Sequence, residues 1–201
     1  MLKSKLVALT FLCSLSMGSL MANLNDIQLG TPAYGGTGCP AGSASAALSE
    51  DAKSLTLIFD EFQVVAGGSS RQIERKNCSV AIPVHVPQGL SVSVVNVDYR
   101  GYVSLPQGAQ ARMTAEYFLA GYLGPRFDKS FFGRTDTDYT FSNRIGIEAS
   151  VWSPCGADTI LRVNASMLVR SNRYNDEALA TVDSADFKAG IKYQLQWRTC
   201  R

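Results

Sequence analysis

Apolar residues recur at every second position along most of this chain. In the run Val80–Val86, Val80, Ile82, Val84 and Val86 share one parity, and Ser79, Ala81, Pro83 and His85 take the other. Successive side chains of a strand point to opposite faces, so this pattern predicts a half-buried strand. Leu90–Val97 repeats it, with Leu90, Val92 and Val94 opposite Ser91 and Ser93. Between the runs, Pro87-Gln88-Gly89 offers a residue without an N–H and one that tolerates positive φ. A turn is expected there, with the two runs paired as a β-hairpin. Pro83 inside the first run predicts an edge position or a bulge.

The same reading extends along the chain. Residues 23–38 form an irregular lead-in rich in Gly and Pro, and residues 42–51 hold a first strand of small residues. Leu55–Val65 carries apolar residues on both parities and is expected to be one central strand. Arg71–Lys76 is polar and expected to be exposed. Gly101 predicts a bend or bulge in a strand that continues from Val97. Met113–Leu119, Ile145–Val151, Leu161–Val169 and Ile191–Trp197 alternate cleanly, and Ala178–Val182 does so weakly. Asp176–Lys188 is an alternative short helix capped by Asp176. Gly121–Tyr139, with Gly124-Pro125, Gly133 and several charges, is expected to be the longest irregular segment, and long loops often carry function. Short strands at this spacing, separated by turn residues, predict an all-β antiparallel β-sandwich or jelly-roll-like single domain.

The first 22 residues change the picture of charge and compartment. Lys3 and Lys5 precede the largely apolar Leu6–Leu15, and small residues lead to Ala22. This is the pattern of a secretory signal peptide cut after Ala22, leaving residues 23–201 as the domain. No integral membrane segment is expected after that cut. The whole chain holds 19 basic and 17 acidic residues, and the two leader lysines account for the excess. A neutral remainder has no bulk drive toward nucleic acid.

Of five cysteines, Cys13 lies in the leader, which leaves Cys39, Cys78, Cys155 and Cys200. An even number behind a signal peptide reads as two disulfides in an oxidising compartment. Three pairings are possible. The sequential one, Cys39–Cys78 with Cys155–Cys200, staples each half of the chain and is the one expected. With one histidine and no CxxC pair, a zinc site is not expected, and no cofactor is implied.

Six short stretches then line up. They are Gly36-Thr37-Gly38-Cys39-Pro40, LTLIFDEF at 55–62, KNC at 76–78, VDYRGY at 97–102, VWSPCG at 151–156 and QWRTC at 196–200. In this order they resemble the DUF4360 family, small secreted proteins of unknown function. The resemblance covers about Thr31 to Cys200 and includes all four cysteines of the domain. It implies structural disulfides and secretion, and it brings no activity or catalytic residues.

Candidate chemistry is sparse. His85 would have to serve any triad, yet it sits on the polar parity of a strand with no nucleophile motif nearby. Asp60 and Glu61, adjacent on an expected strand, point apart. Asp98 could converge with either as a glycosidase pair. Asp136, Asp138 and Asp128 could supply oxygens to calcium, though the remaining ligands of a calcium loop are missing. Trp152 and Trp197 beside cysteines are expected to pack in the core. Asn77-Cys78-Ser79 and Asn164-Ala165-Ser166 match the N-glycosylation pattern. The most suggestive cluster is Asp98, Tyr99, Arg100 and Tyr102, where aromatic and arginine side chains suit a sugar or a protein contact. The expectation is a secreted, periplasmic or cell-surface module, non-catalytic, that binds an extracellular glycan, envelope component or protein. Rival readings are a glycan- or peptide-acting hydrolase using strand-end carboxylates, and a secreted inhibitor or effector acting through residues 121–139.

Overall fold

The computed structural model describes residues 26–119, 121–146, 150–182 and 191–200. The leader and its cut, Ile147 and Ala149, and residues 183–190 of the alternative helix lie outside these. In chain order the strands are β1 (Gln28–Leu29), β2 (Ala33–Gly35), β3 (Ala44–Leu48), β4 (Ser54–Phe59), β5 (Gln63–Ala66), β6 (Ile73–His85) and β7 (Leu90–Leu105). They continue with β8 (Gln110–Leu119), β9 (Arg126–Phe132), β10 (Thr135–Arg144), β11 (Thr159–Arg170), β12 (Ala178–Thr181) and β13 (Ile191–Thr199).

These strands build an antiparallel β-sandwich, as the alternation predicts. In the first sheet, β1 and β2 lie end to end along one edge of β6, and β11, β8 and β9 follow on its other side. In the second sheet the order is β3, β4, β13, β7. β10 pairs residues 96–105 of β7, so β12 and β13 share the opposite edge of that strand. The inner faces meet in one core, from Leu55 and Val64 through Met113 and Val163 to Ile191.

The expected hairpin is not one. β6 and β7 bury the predicted parities, but β6 pairs in the first sheet and β7 in the second. Pro87–Gly89 is therefore an arch between layers, with Gly89 at φ 82°. The two apolar faces are satisfied by facing each other across the core rather than by lying side by side. Alternation specifies a face and not a partner.

Pro83 is neither on an edge strand nor at a bulge: β6 is paired on both sides, by β11 and by β1 and β2, and the proline is tolerated because it falls between the pairings of β1 and β2. Its carbonyl accepts from Gly30 N at 2.9 Å, so its missing N–H points to the gap between β1 and β2. A Cβ on Gly30 would lie 2.8 Å from the proline ring, so glycine is needed to let the ring in.

The bulge falls at Val95, not at Gly101. Gln194 pairs with Asn96 and Leu195 with Val94, leaving Val95 without an opposite number. The extra residue switches the buried parity of β7 from Leu90, Val92 and Val94 to Val97, Tyr99 and Val103.

Three further expectations change. Leu55–Val65 is two strands broken at Asp60-Glu61, which explains the parity switch without a two-sided strand. Residues 121–139 are mostly β9 and β10. Their inward Phe127, Phe131 and Tyr139, with Phe141, stack between the layers and close that side of the sandwich. The described part of Ile145–Val151 is not a strand, although Trp152 bridges Ser93 further along the same edge of β7. Ala178–Thr181 is strand, so the alternative helix does not start at Asp176.

Both disulfides pair as expected, Cys39 with Cys78 and Cys155 with Cys200. The tryptophans beside them are half-buried rather than core. Trp152 lies under the Arg198 guanidinium at 4.2 Å, and Trp197 Nε1 donates to Ala52 O at 2.9 Å.

The core holds three large tyrosines, Tyr99, Tyr117 and Tyr193. Burial pushes the Tyr117 phenol up to about 12, and Tyr193 is raised well above its usual value for the same reason. Tyr117 has Asn143 Nδ2 at 3.4 Å, whereas the hydroxyls of Tyr99 and Tyr193 have no hydrogen-bond partner among the described residues. An unsatisfied buried hydroxyl is a net loss, so Tyr193→Phe should raise stability by about 1 kcal/mol. Urea denaturation measures this, and a clear loss of stability in Tyr193→Phe would reveal a partner for that hydroxyl.

Candidate functional site

The cluster expected at residues 98–102 is split by the alternation of β7, and the bulge at Val95 sets which of its members face in. Asp98, Arg100 and Tyr102 face outward from the second sheet. Tyr99 faces the core, fully buried and stacked on Phe127 at 4.3 Å, so it is unavailable to a ligand. Asp98 accepts from Asn96 Nδ2 at 2.9 Å, Ser142 Oγ at 2.6 Å and Gln194 Nε2 at 3.2 Å. The Tyr102 hydroxyl donates to Asp136, and this bond holds its phenol above the usual range.

The other expected groups are dispersed. Asp60 and Glu61 sit in the turn after β4, not on a strand. Asp136 and Asp138 belong to the second sheet, whereas Asp128 lies on the first, held by Arg112. Among the described residues no cluster of three or more His, Cys, Asp or Glu could hold a metal. His85 is exposed, with Nδ1 2.7 Å from Asp158 Oδ1.

A larger site lies on the outer face of the first sheet. The pairing register sets its rows. One row is Asn77, Ser166 and Thr114, and the next is Ser79, Asn164 and Glu116. Polar side chains on four neighbouring strands thus form a continuous patch. Both glycosylation-type sequences fall in it, Asn77 opposite Ser166 and Ser79 opposite Asn164.

Local structure fixes the patch. The Cys39–Cys78 bridge draws the lead-in against β6, and Gly38 N donates to Asn77 O at 2.9 Å. A Cβ on Gly36 would lie 2.1 Å from that carbonyl. Thr37 is thereby held at the rim, its hydroxyl 3.2 Å from Asn77 Oδ1. Ser166, nearly buried, accepts from Arg75 Nε at 3.1 Å and has Thr114 Oγ1 at 3.3 Å.

Two open cavities share Glu116, Arg126 and Asn164 and so run together. One, of about 510 Å³, lies over the hydroxyl and amide rows. The other, of about 540 Å³, is walled by Phe118 and by the link between β8 and β9. That link turns tightly, with Tyr122 N donating to Leu119 O at 3.0 Å. It holds Tyr122 and Leu123 out to solvent, Leu123 at 97% exposure. The trough therefore has a hydrogen-bonding floor and an apolar, aromatic end.

Charges beside the trough form a ladder from Arg112 through Asp128 and Arg126 to Glu116. Hydrogen bonds from Arg112 hold the Asp128 carboxyl below the usual range. A depressed folded-state pKa stabilises the fold above the unfolded value and is lost as pH falls through the folded one. Wild type should therefore exceed Arg112→Gln in stability at neutral pH, and the gap should close below about pH 4. Thermal melts between pH 7 and pH 2 follow the gap, and one that widens in acid would refute the pairing.

Sequence reading missed this site for a physical reason. The polar parities of β8 and β11 were visible, but their assembly depends on which strands pair. Arg71–Lys76 read as merely exposed, and Tyr122 lay in the segment expected to be irregular.

A family described as a domain of unknown function (DUF4360) matches residues 25–200. A protein of the fungus Arthroderma benhamiae, described as an uncharacterized secreted protein, is 34% identical over 169 residues, which span 83% of this chain and 69% of that relative.

Proposed function

The chain belongs to the DUF4360 family, and from that footing we propose that it is a secreted, non-catalytic module that binds an extracellular glycan in the first-sheet trough. The observation that carries this reading is the trough itself. Its floor offers amides and hydroxyls in register, Asn77, Asn164, Ser79 and Thr114, and its end offers the Tyr122 ring. Sugars present hydroxyls at their edges and C–H groups on their faces. Such a ligand needs both kinds of surface, a few placed polar groups and an aromatic plane. Two disulfides and the secreted relative support an extracellular setting.

The hydrolase reading has less support. A general acid needs a carboxyl whose pKa is raised. Asp128 is shifted the other way by Arg112. Glu116 pairs with Arg126 at 3.4 Å, and Asp98 is met by three neutral side chains.

Affinity electrophoresis through gels containing individual polysaccharides tests the proposal. At least one polymer should retard wild type, and Tyr122→Ala and Asn164→Ala should run faster there while keeping the wild-type melt. Failure of every polymer to retard the folded protein would overturn it.

A further inference from the structure

Resting on that reading, we infer that the ligand of the trough is a carboxylated, uronic-acid-containing polysaccharide. The chain is neutral once the leader lysines are set aside, but its charge is not evenly spread. Outward on the first sheet stand Arg75, Arg112, Arg126, Arg162 and Arg170. Only two carboxylates, Glu116 and Asp128, share those strand faces, an excess of three positive charges. Counting outward positions on the strands of the second sheet gives four cations against three carboxylates.

The acids of the first sheet are already engaged, with Arg112 and Arg126. Arg162 and Arg170 have no ion pair among the described residues. Arg75 donates Nε to Ser166, and its two terminal nitrogens have no partner among the described residues. Ser166 thus steadies this arginine and leaves its fork for an incoming anion.

Placement favours a chain-like ligand. Arg75 and Arg162 stand at opposite ends of the hydroxyl and amide rows, one row beyond Asn77 and one row beyond Asn164. Along β6 these rows are three two-residue steps apart, about 20 Å. A polymer laid along the trough meets a cation at each end and, between them, amides, hydroxyls and a Glu116 whose charge is offset by Arg126. An isolated anion would use only one of them.

A carboxylate suits the exposed forks. Guanidinium pairs with it through two parallel N–H···O bonds, which adds orientation to charge. The same face already displays that geometry, since Arg112 grips both oxygens of Asp128 through Nε and Nη2.

Binding of the disulfide-intact protein to polygalacturonate, to neutral galactan and to a sulfated galactan decides the matter. Polygalacturonate should bind tightest, and its affinity should fall steeply as salt rises through the screening range. Arg75→Gln and Arg162→Gln should each weaken it about fivefold, the scale of an exposed ion pair. Lys192→Gln on the second sheet should leave it unchanged. Equal binding of neutral galactan, lost in Asn164→Ala, would overturn the charge inference and keep the trough. Preference for the sulfated polymer would overturn the carboxylate assignment. No binding to any of the three, nor to any other polysaccharide, would overturn both.

Discussion

Mild reduction should open Cys155–Cys200 while Cys39–Cys78 stays closed. Cys39 and Cys78 are buried at 0% and 1% exposure, whereas Cys155 is exposed. Thiol–disulfide exchange requires access of the attacking thiolate, so the outer bridge reacts first. That bridge holds the arch between β6 and β7. Cys200 N donates to Gly89 O at 2.9 Å, Gly156 N to Leu90 O at 2.8 Å, and Gln88 Nε2 to Gly156 O at 2.8 Å. Cys155 and Cys200 are 45 residues apart. Closing a loop of that size stabilises by about 4 kcal/mol in the chain-entropy model. Cys155→Ala with Cys200→Ala should therefore lower Tm by roughly 8–16 °C. Mass mapping after graded reduction and alkylation, with melts of the same samples, measures both parts. Earlier labelling of Cys39 and Cys78, or an unchanged melt, would contradict them.

Gly101→Ala should be the most damaging single substitution on β7. A Cβ there would lie 2.2 Å from Thr181 O and 2.4 Å from the Tyr139 hydroxyl. Gly101 is directly opposite Tyr139 on β10, and Tyr139 donates to Thr181 O at 2.7 Å across the bare glycine. Glycine here leaves room for an aromatic side chain from the neighbouring strand, which covers the gap. Overpacking of this kind costs about 3 kcal/mol. Tyr139→Phe, which loses the hydrogen bond to Thr181 O, should cost about 1 kcal/mol. Adding Tyr139→Leu to Gly101→Ala should not restore stability, because the Thr181 carbonyl is backbone and stays. Equilibrium unfolding of the three variants provides the comparison, and a near-native Gly101→Ala would refute the close contact.

Particular residues show what the sequence could and could not say. The buried parities of β6, β8, β11 and β13 were legible because one face of each packs on the core. Of the three possible disulfide pairings, the sequential one that staples each half of the chain is the one formed. The partner of each strand was not, which is why Pro87–Gly89 read as a hairpin turn. Val95 gave only a faint sign, an apolar doublet with Val94. Yet the bulge there decides that Tyr99 is core while Asp98 and Arg100 face solvent. Residues 121–139 read as irregular because Gly124, Pro125 and Gly133 outweighed the alternating Phe127, Phe131 and Tyr139. Those aromatics find their order only against the opposite layer. The trough needed the whole pairing scheme, since its polar groups come from four strands spread over nearly a hundred residues.

The side-chain amide NMR signals of asparagine identify the binding face in one experiment. Asn77 and Asn164 lie on the first-sheet trough, and Asn96 lies beside Asp98 on the second sheet. Titrating the labelled protein with a polysaccharide that it binds should shift the Asn77 and Asn164 signals and leave Asn96 in place. Movement of Asn96, with Asn77 and Asn164 unchanged, would put the ligand on the face of Asp98, Arg100 and Tyr102 and contradict the trough as the binding site.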